Sequence, residues 1–100
     1  MTGAAFLPDA ADQAEIAVVR YLLARPEARD TAEGIQKWWL PQSQQYSTAA
    51  VELALERLTR MNLLSVWSSA STEPVYGLRS YQRDALLDYL KKLESTRHGG

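Results

Sequence analysis

Ser47-Thr-Ala-Ala-Val-Glu-Leu-Ala-Leu-Glu-Arg-Leu-Thr-Arg-Met-Asn-Leu-Leu64 is the stretch that decides the fold. Turned through about 100° per residue, Val51, Ala54, Leu55, Leu58 and Met61 gather on one side of a helix. Ala49, Leu53, Glu56 and Arg60 take the opposite side, with Glu52 flanking. Ser47 or Thr48 supplies the N-cap, because a short side-chain oxygen can accept from the orphan amides of the first turn. Asn62 is the C-cap, asparagine being one of the few residues that tolerate left-handed backbone. The pattern predicts a helix over 48–61 with one core face and one outward face.

Working back from Ser47, Gln42-Ser-Gln-Gln-Tyr46 is a polar segment without charge. Before it, Asp30-Thr-Ala-Glu33 is a capping signature that opens a helix over 31–40, closed by Pro41. Ile35 and Trp39 stand four apart on its inner face, and Trp38 is rotated away from them. Ile16, Val19, Leu22 and Leu23 mark an earlier helix over 10–25, started by Asp9 or Asp12, the latter at capping-box spacing from Glu15. Pro26 disfavours helical geometry in the residue before it and ends that helix. Residues 1–8 read as a loose arm in which Phe6 and Leu7 are the apolar pair.

Working forward, Leu64–Ser68 and Val75–Arg79 read as two strands joined by the loop Ser69-Ala-Ser-Thr-Glu-Pro74. Ser80 then caps a fourth helix over 80–95, and 96–100 reads as a frayed tail. Leu86, Tyr89, Leu90 and Leu93 form the apolar stripe of that helix, opposite Asp84, Asp88 and Lys91. The expected architecture is one domain, mostly α with a small β-hairpin.

Helix, turn, helix and hairpin in that order resemble the winged helix-turn-helix domain of bacterial transcriptional regulators, over about residues 10–95. Thr31-Ala-Glu-Gly-Ile35 resembles the TAEEL opening of the family's second helix. Val51–Leu64 resembles its recognition helix, with Leu55, Leu58, Leu63 and Leu64 on the family's apolar positions and Asn62 where glycine is usual. Val75-Tyr-Gly-Leu78 is similar to the YxLT strand that closes the wing. The resemblance implies a winged helix with an additional C-terminal helix, double-stranded DNA as the partner, a role in transcription regulation and a homodimer. The dimer seam would then be Leu86, Tyr89, Leu90 and Leu93; the other reading of that stripe is that it folds back onto the first helix of its own chain.

The contact positions depart from the family. Base and phosphate contacts call for Ser, Thr, Arg, Lys, Asn or Gln, and the chain has Ala49, Ala50, Glu52 and Leu53 there. Its wing offers Glu73 and no base before Arg79, and the segment between the second and third helices is longer than the family's tight turn. What remains for DNA is Gln42 to Thr48, of which Gln44, Gln45, Tyr46, Ser47 and Thr48 are the expected contacts, backed by Arg57 and Arg60. The alternative is a winged helix that has lost DNA binding and serves as a protein-interaction module or adaptor, with Trp38, Leu53 and Glu56 on the partner surface.

Charge does not choose between them. The net charge is −1, where phosphate binding usually demands a basic excess. Residues up to Tyr46 carry six acids and four bases, and those from Ser47 onward six acids and seven bases. There is no cysteine, and the single histidine, His98, lies in the tail. Thiolate metal sites, a cysteine nucleophile and histidine-based catalysis are therefore excluded. Without a histidine or lysine partner no serine is a credible nucleophile. The expectation is a non-enzyme with no cofactor and no metal. No apolar run approaches the roughly 20 residues of a membrane span, and the first residues lack a basic signal-peptide start, so the expected location is the cytoplasm.

Overall fold

In the computed structural model the backbone is described over residues 10–40 and 46–98, and the side chains over 10–40 and 46–94. Helix α1 (Ala10–Ala24) is followed by a short strand β1 (Arg29–Thr31). Helix α2 (Ala32–Gly34) runs directly into a π-helical turn, Ile35–Trp39. Then come α3 (Thr48–Arg60), strands β2 (Ser65–Ser69) and β3 (Thr72–Gly77), a 3₁₀ turn (Ser80–Gln82) and α4 (Arg83–His98). The chain is mostly helical with a small antiparallel sheet, an arrangement compatible with a winged helix.

α1 is the centre of the packing, flanked by α3, α4 and the π turn. Being covered from several sides, it buries more than one stripe: Ala14, Ile16, Val18, Val19 and Leu22 are all inside. They meet Ile35 and Trp39, Val51, Leu55 and Leu58 of α3, Leu64, Leu78, and Leu86 and Leu90 of α4. Burying a side chain of this size fully contributes about 1.5–3 kcal/mol, so this shared core holds the helices together. Trp39 also stacks on Tyr21, with ring centres 4.7 Å apart and planes 10° from parallel.

The caps differ in detail from expectation. The α2 signature works through Thr31, whose hydroxyl accepts from the Gly34 amide at 3.2 Å. Asp30 lies against the same turn and accepts from the Thr31 amide at 2.8 Å. A Cβ on Gly34 would stand 2.0 Å from the Asp30 carboxylate, so glycine is what lets the acid sit there. Ser47, rather than Thr48, caps α3 by accepting from the Ala50 amide at 3.0 Å. At its other end Asn62 has φ of 60°. The Leu63 amide donates to the Leu58 carbonyl and the Asn62 amide to that of Thr59, the bond pair of a Schellman motif. Met61, the C-cap residue at the end of the stripe, is half-exposed at 44% rather than in the core.

Two further expectations are corrected. The wing loop is not six residues: β2 and β3 pair from Ser69↔Thr72 onward, leaving only Ala70 and Ser71 at the tip. Pro74 enters the strand because Glu73 and Pro74 together oppose Ser68, a bulge where a missing amide is tolerated. It also lies beyond the last β1 pair, Thr31↔Val75. Second, Ser80 does not cap the final helix. The cap sits one turn earlier, on the 3₁₀ turn that leads into it, with Arg79 as the N-cap residue. Gln82 Oε1 accepts from the Arg79 amide at 2.9 Å and from Ser65 Oγ at 2.9 Å. Its Nε2 donates to the Asn62 carbonyl at 3.1 Å. This amide is 1% exposed and ties the end of α3, the wing and the start of α4 together.

α4 continues to His98, beyond the expected end at 95, since the first residue after Ser95 that opposes a helix is Gly99. The residues 1–9, 41–45 and 99–100, and with them the arm, the Asp9 cap, Gln42, Ser43, Gln44 and Gln45, lie outside the described residues. No described helix is long and apolar enough to cross a membrane. No described group of three or more His, Asp or Glu side chains is placed to hold a metal.

Candidate functional site

The outward face of α3 consists of Ala49, Glu52, Leu53, Glu56 and Arg60, all exposed. It is what the helical period dictates once Val51, Ala54, Leu55 and Leu58 are committed to the core. Leu53 is 41% exposed. Arg60 is held by Glu56 one turn earlier, Nη2 to Oε2 at 2.8 Å. Such an exposed pair adds little stability, but it cancels the only cation on this face. Glu52 leaves the face net negative.

The face continues into the wing. Glu56, Thr59 and Arg60 of α3, Val66 of β2 and Tyr76 of β3 line an open depression of about 400 Å³. Val66 and Tyr76 are cross-strand partners, so the sheet sets both side chains towards α3. Val66 is 39% exposed. β2 is an edge strand in the order β1-β3-β2.

Of the residues expected to contact DNA, Tyr46, Ser47, Thr48, Arg57 and Arg60 are described. Arg57 turns inward: Nη1 reaches Asp12 Oδ1 at 2.9 Å and Glu15 Oε2 at 3.1 Å on α1. Glu15 is 3% exposed, and a buried carboxylate must be paired. Arg57 therefore commits its charge to the α1–α3 contact, although its side chain is 35% exposed. Thr48 donates to Gln36 Oε1 at 3.2 Å, and Gln36 Nε2 donates to the Tyr46 carbonyl at 2.9 Å. Tyr46 packs against the core, and burial pushes its hydroxyl pKa up. Ser47 spends its side chain on the cap, though Ser47 and Thr48 both remain exposed.

The stripe assigned to a dimer seam is used within the chain. Leu86 is fully buried and Leu90 is 9% exposed, both in the core, and Leu93 packs against it. Tyr89 donates its hydroxyl to Glu15 on α1. The stripe folds back on α1, because α1 offers both apolar surface and a carboxylate to receive it. Of the partner-surface residues, Trp38 is 74% exposed, and Leu53 and Glu56 face out as described.

Sequence reasoning missed β1, and with it a basic group at the wing. Arg29, on β1, lies with its guanidinium carbon 4.1 Å from the centre of the Trp67 ring, and Arg79 lies at 4.9 Å from it. A three-residue strand is too short to show alternation, and its pairing with β3 comes from more than forty positions away in the chain. Comparison with family models, with curated proteins and with solved structures gives no match for this chain.

Proposed function

We propose that this chain is a winged-helix domain whose third helix and wing bind a protein partner. The observation that carries the reading is the composition of the outer face of α3: an exposed Leu53, two glutamates, and an arginine neutralised by one of them. A helix laid in the major groove of DNA needs donors for base edges and cations for phosphates. This face supplies neither in surplus. It suits a partner segment that places apolar side chains against Leu53 and into the depression at Val66 and Tyr76, and a base near Glu52.

Photo-crosslinking in cells tests the reading, with p-benzoylphenylalanine in place of Leu53. A discrete protein adduct that is lost when Val66 is also changed to aspartate (Val66→Asp) is the expected result. Adducts to nucleic acid, or none above those formed from an exposed control position such as Asp88, would sink it.

A second reading, a double-stranded DNA contact through the start of α3, has one observation in its favour. Ser47 and Thr48 are exposed at the N-terminus of a 13-residue helix, where backbone amides favour phosphate. Titration with a mixed-sequence duplex tests it: saturable, salt-sensitive binding that is lost in Ser47→Ala or Thr48→Ala would support it.

A further inference from the structure

Strand alternation puts Arg29, Gly77, Ser65 and Trp67 on the side of the sheet away from Val66 and Tyr76. The Arg29–Trp67–Arg79 group therefore looks away from the α3 depression. It is a built arrangement. A Cβ on residue 77 would come within 2.7 Å of Arg29 Cγ, 3.0 Å of the Ala28 carbonyl and 3.3 Å of Trp67 Cζ3. Glycine is what allows Arg29 and the indole to close over the strand.

Among the described residues the charges of the group are uncompensated. Arg20, Lys37, Arg57 and Arg60 each have a carboxylate within 4 Å. Arg29 and Arg79 are both exposed, and neither has a carboxylate partner among the described residues. Both guanidiniums stack on the one indole, and two like charges held at that ring repel each other, a repulsion that bound carboxylates would relieve. Arg83, exposed and four residues after Arg79, adds a further base to the same stretch of chain.

We propose that this face binds an acidic peptide segment, two of whose carboxylates pair with the guanidiniums of Arg29 and Arg79. The planar fork of arginine matches a carboxylate bidentately. A peptide is favoured over nucleic acid by two observations. The Trp67 ring already carries the guanidiniums and is not offered to a base for stacking. A chain of net charge −1 does not attract a long polyanion, whereas a short segment feels only the local pair. The surface is separate from the one proposed to hold the partner at α3, so either can fail without the other.

The test is an NMR titration of the whole chain with a blocked hexapeptide of alternating aspartate and glutamate, at roughly 50 mM salt to limit screening. The Trp67 indole N–H and the Nε–H signals of Arg29 and Arg79 should move saturably, while the backbone signals of Glu56 and Arg60 stay in place. Arg29→Gln and Arg79→Gln should each weaken binding about fivefold, and the double substitution should remove it. Arg79→Lys, which keeps the charge and loses the fork, should fall between. Arg79→Gln lies outside every strand and keeps the test valid even if Arg29→Gln disturbs β1. No movement of these signals would overturn the proposal, as would affinity unchanged in Arg79→Gln. A short mixed-sequence duplex that moves the same signals while the peptide does not would also overturn it, and would identify the ligand as nucleic acid.

Discussion

Arg57 and Tyr89 reach the same buried carboxylate from two different helices, and Glu15 is the group that makes both necessary. At 3% exposure it has lost its water, and it regains partners in the Arg57 guanidinium and the Tyr89 hydroxyl. The consequence for Tyr89 is a hydroxyl pKa well above the ordinary value of 10.0. Burial is the main cause, followed by the hydrogen bond to Glu15 and the negative charges of Glu15 and Asp12, with Arg57 opposing. A raised native pKa means that the native state holds this proton more tightly than the unfolded chain does. The resulting stability is complete below pH about 10 and is lost as the pH climbs above it. In denaturant titrations, Tyr89→Phe should cost about 1–2 kcal/mol at neutral pH, through the lost bond to a charged group. It should also show a shallower fall in stability above pH 10 than the parent chain. An identical alkaline slope in both would assign the effect elsewhere.

Among the elements, those written in a local period were legible and those written by a distant partner were not. Leu55 and Leu58 lie on a 3.6-residue stripe, and Asn62 takes the only left-handed backbone among the described non-glycine residues. α3 could therefore be read almost to the residue. Trp38 and Leu53 followed from the same arithmetic, and both are exposed. β1, by contrast, has three residues and exists because Val75, Tyr76 and Gly77 are there to pair with it. Arg29 was for that reason invisible as a wing residue. Arg57 was misplaced for a related cause: its position on the helix is visible in the sequence, but the carboxylates it turns towards belong to α1. Gln82 is the clearest case. In sequence it is a polar residue near a helix start; in the fold its bonds run to Ser65, 17 residues away, and to Asn62, 20 residues away. Gln82→Ala should leave the Ser65 hydroxyl and the Asn62 carbonyl without their partner in a closed site. A loss of about 2–4 kcal/mol in chemical denaturation is expected. A loss below about 0.5 kcal/mol would mean that the site opens to water.

At the scale of the whole molecule the distribution of charge decides more than its sum. The described cations of α3 are consumed by Glu56, Asp12 and Glu15, whereas Arg29 and Arg79, without a carboxylate partner among the described residues, sit on the far side of the sheet. A duplex approaching α3 meets Glu52 and Leu53 first. Fluorescence anisotropy with mixed-sequence duplexes at about 50 mM salt, where phosphate contacts are strongest, should show no saturable binding. Binding that weakens steeply with added salt and is lost in Ser47→Ala or Thr48→Ala would instead restore the DNA reading. The Gln82 amide adds something mechanical to this picture. It joins the end of α3, the root of the wing and the turn before α4 at a single point. A displacement of the wing root at Ser65 therefore strains the Gln82 bonds to the end of α3 and to the turn that leads into α4, and α4 in turn lies against α1.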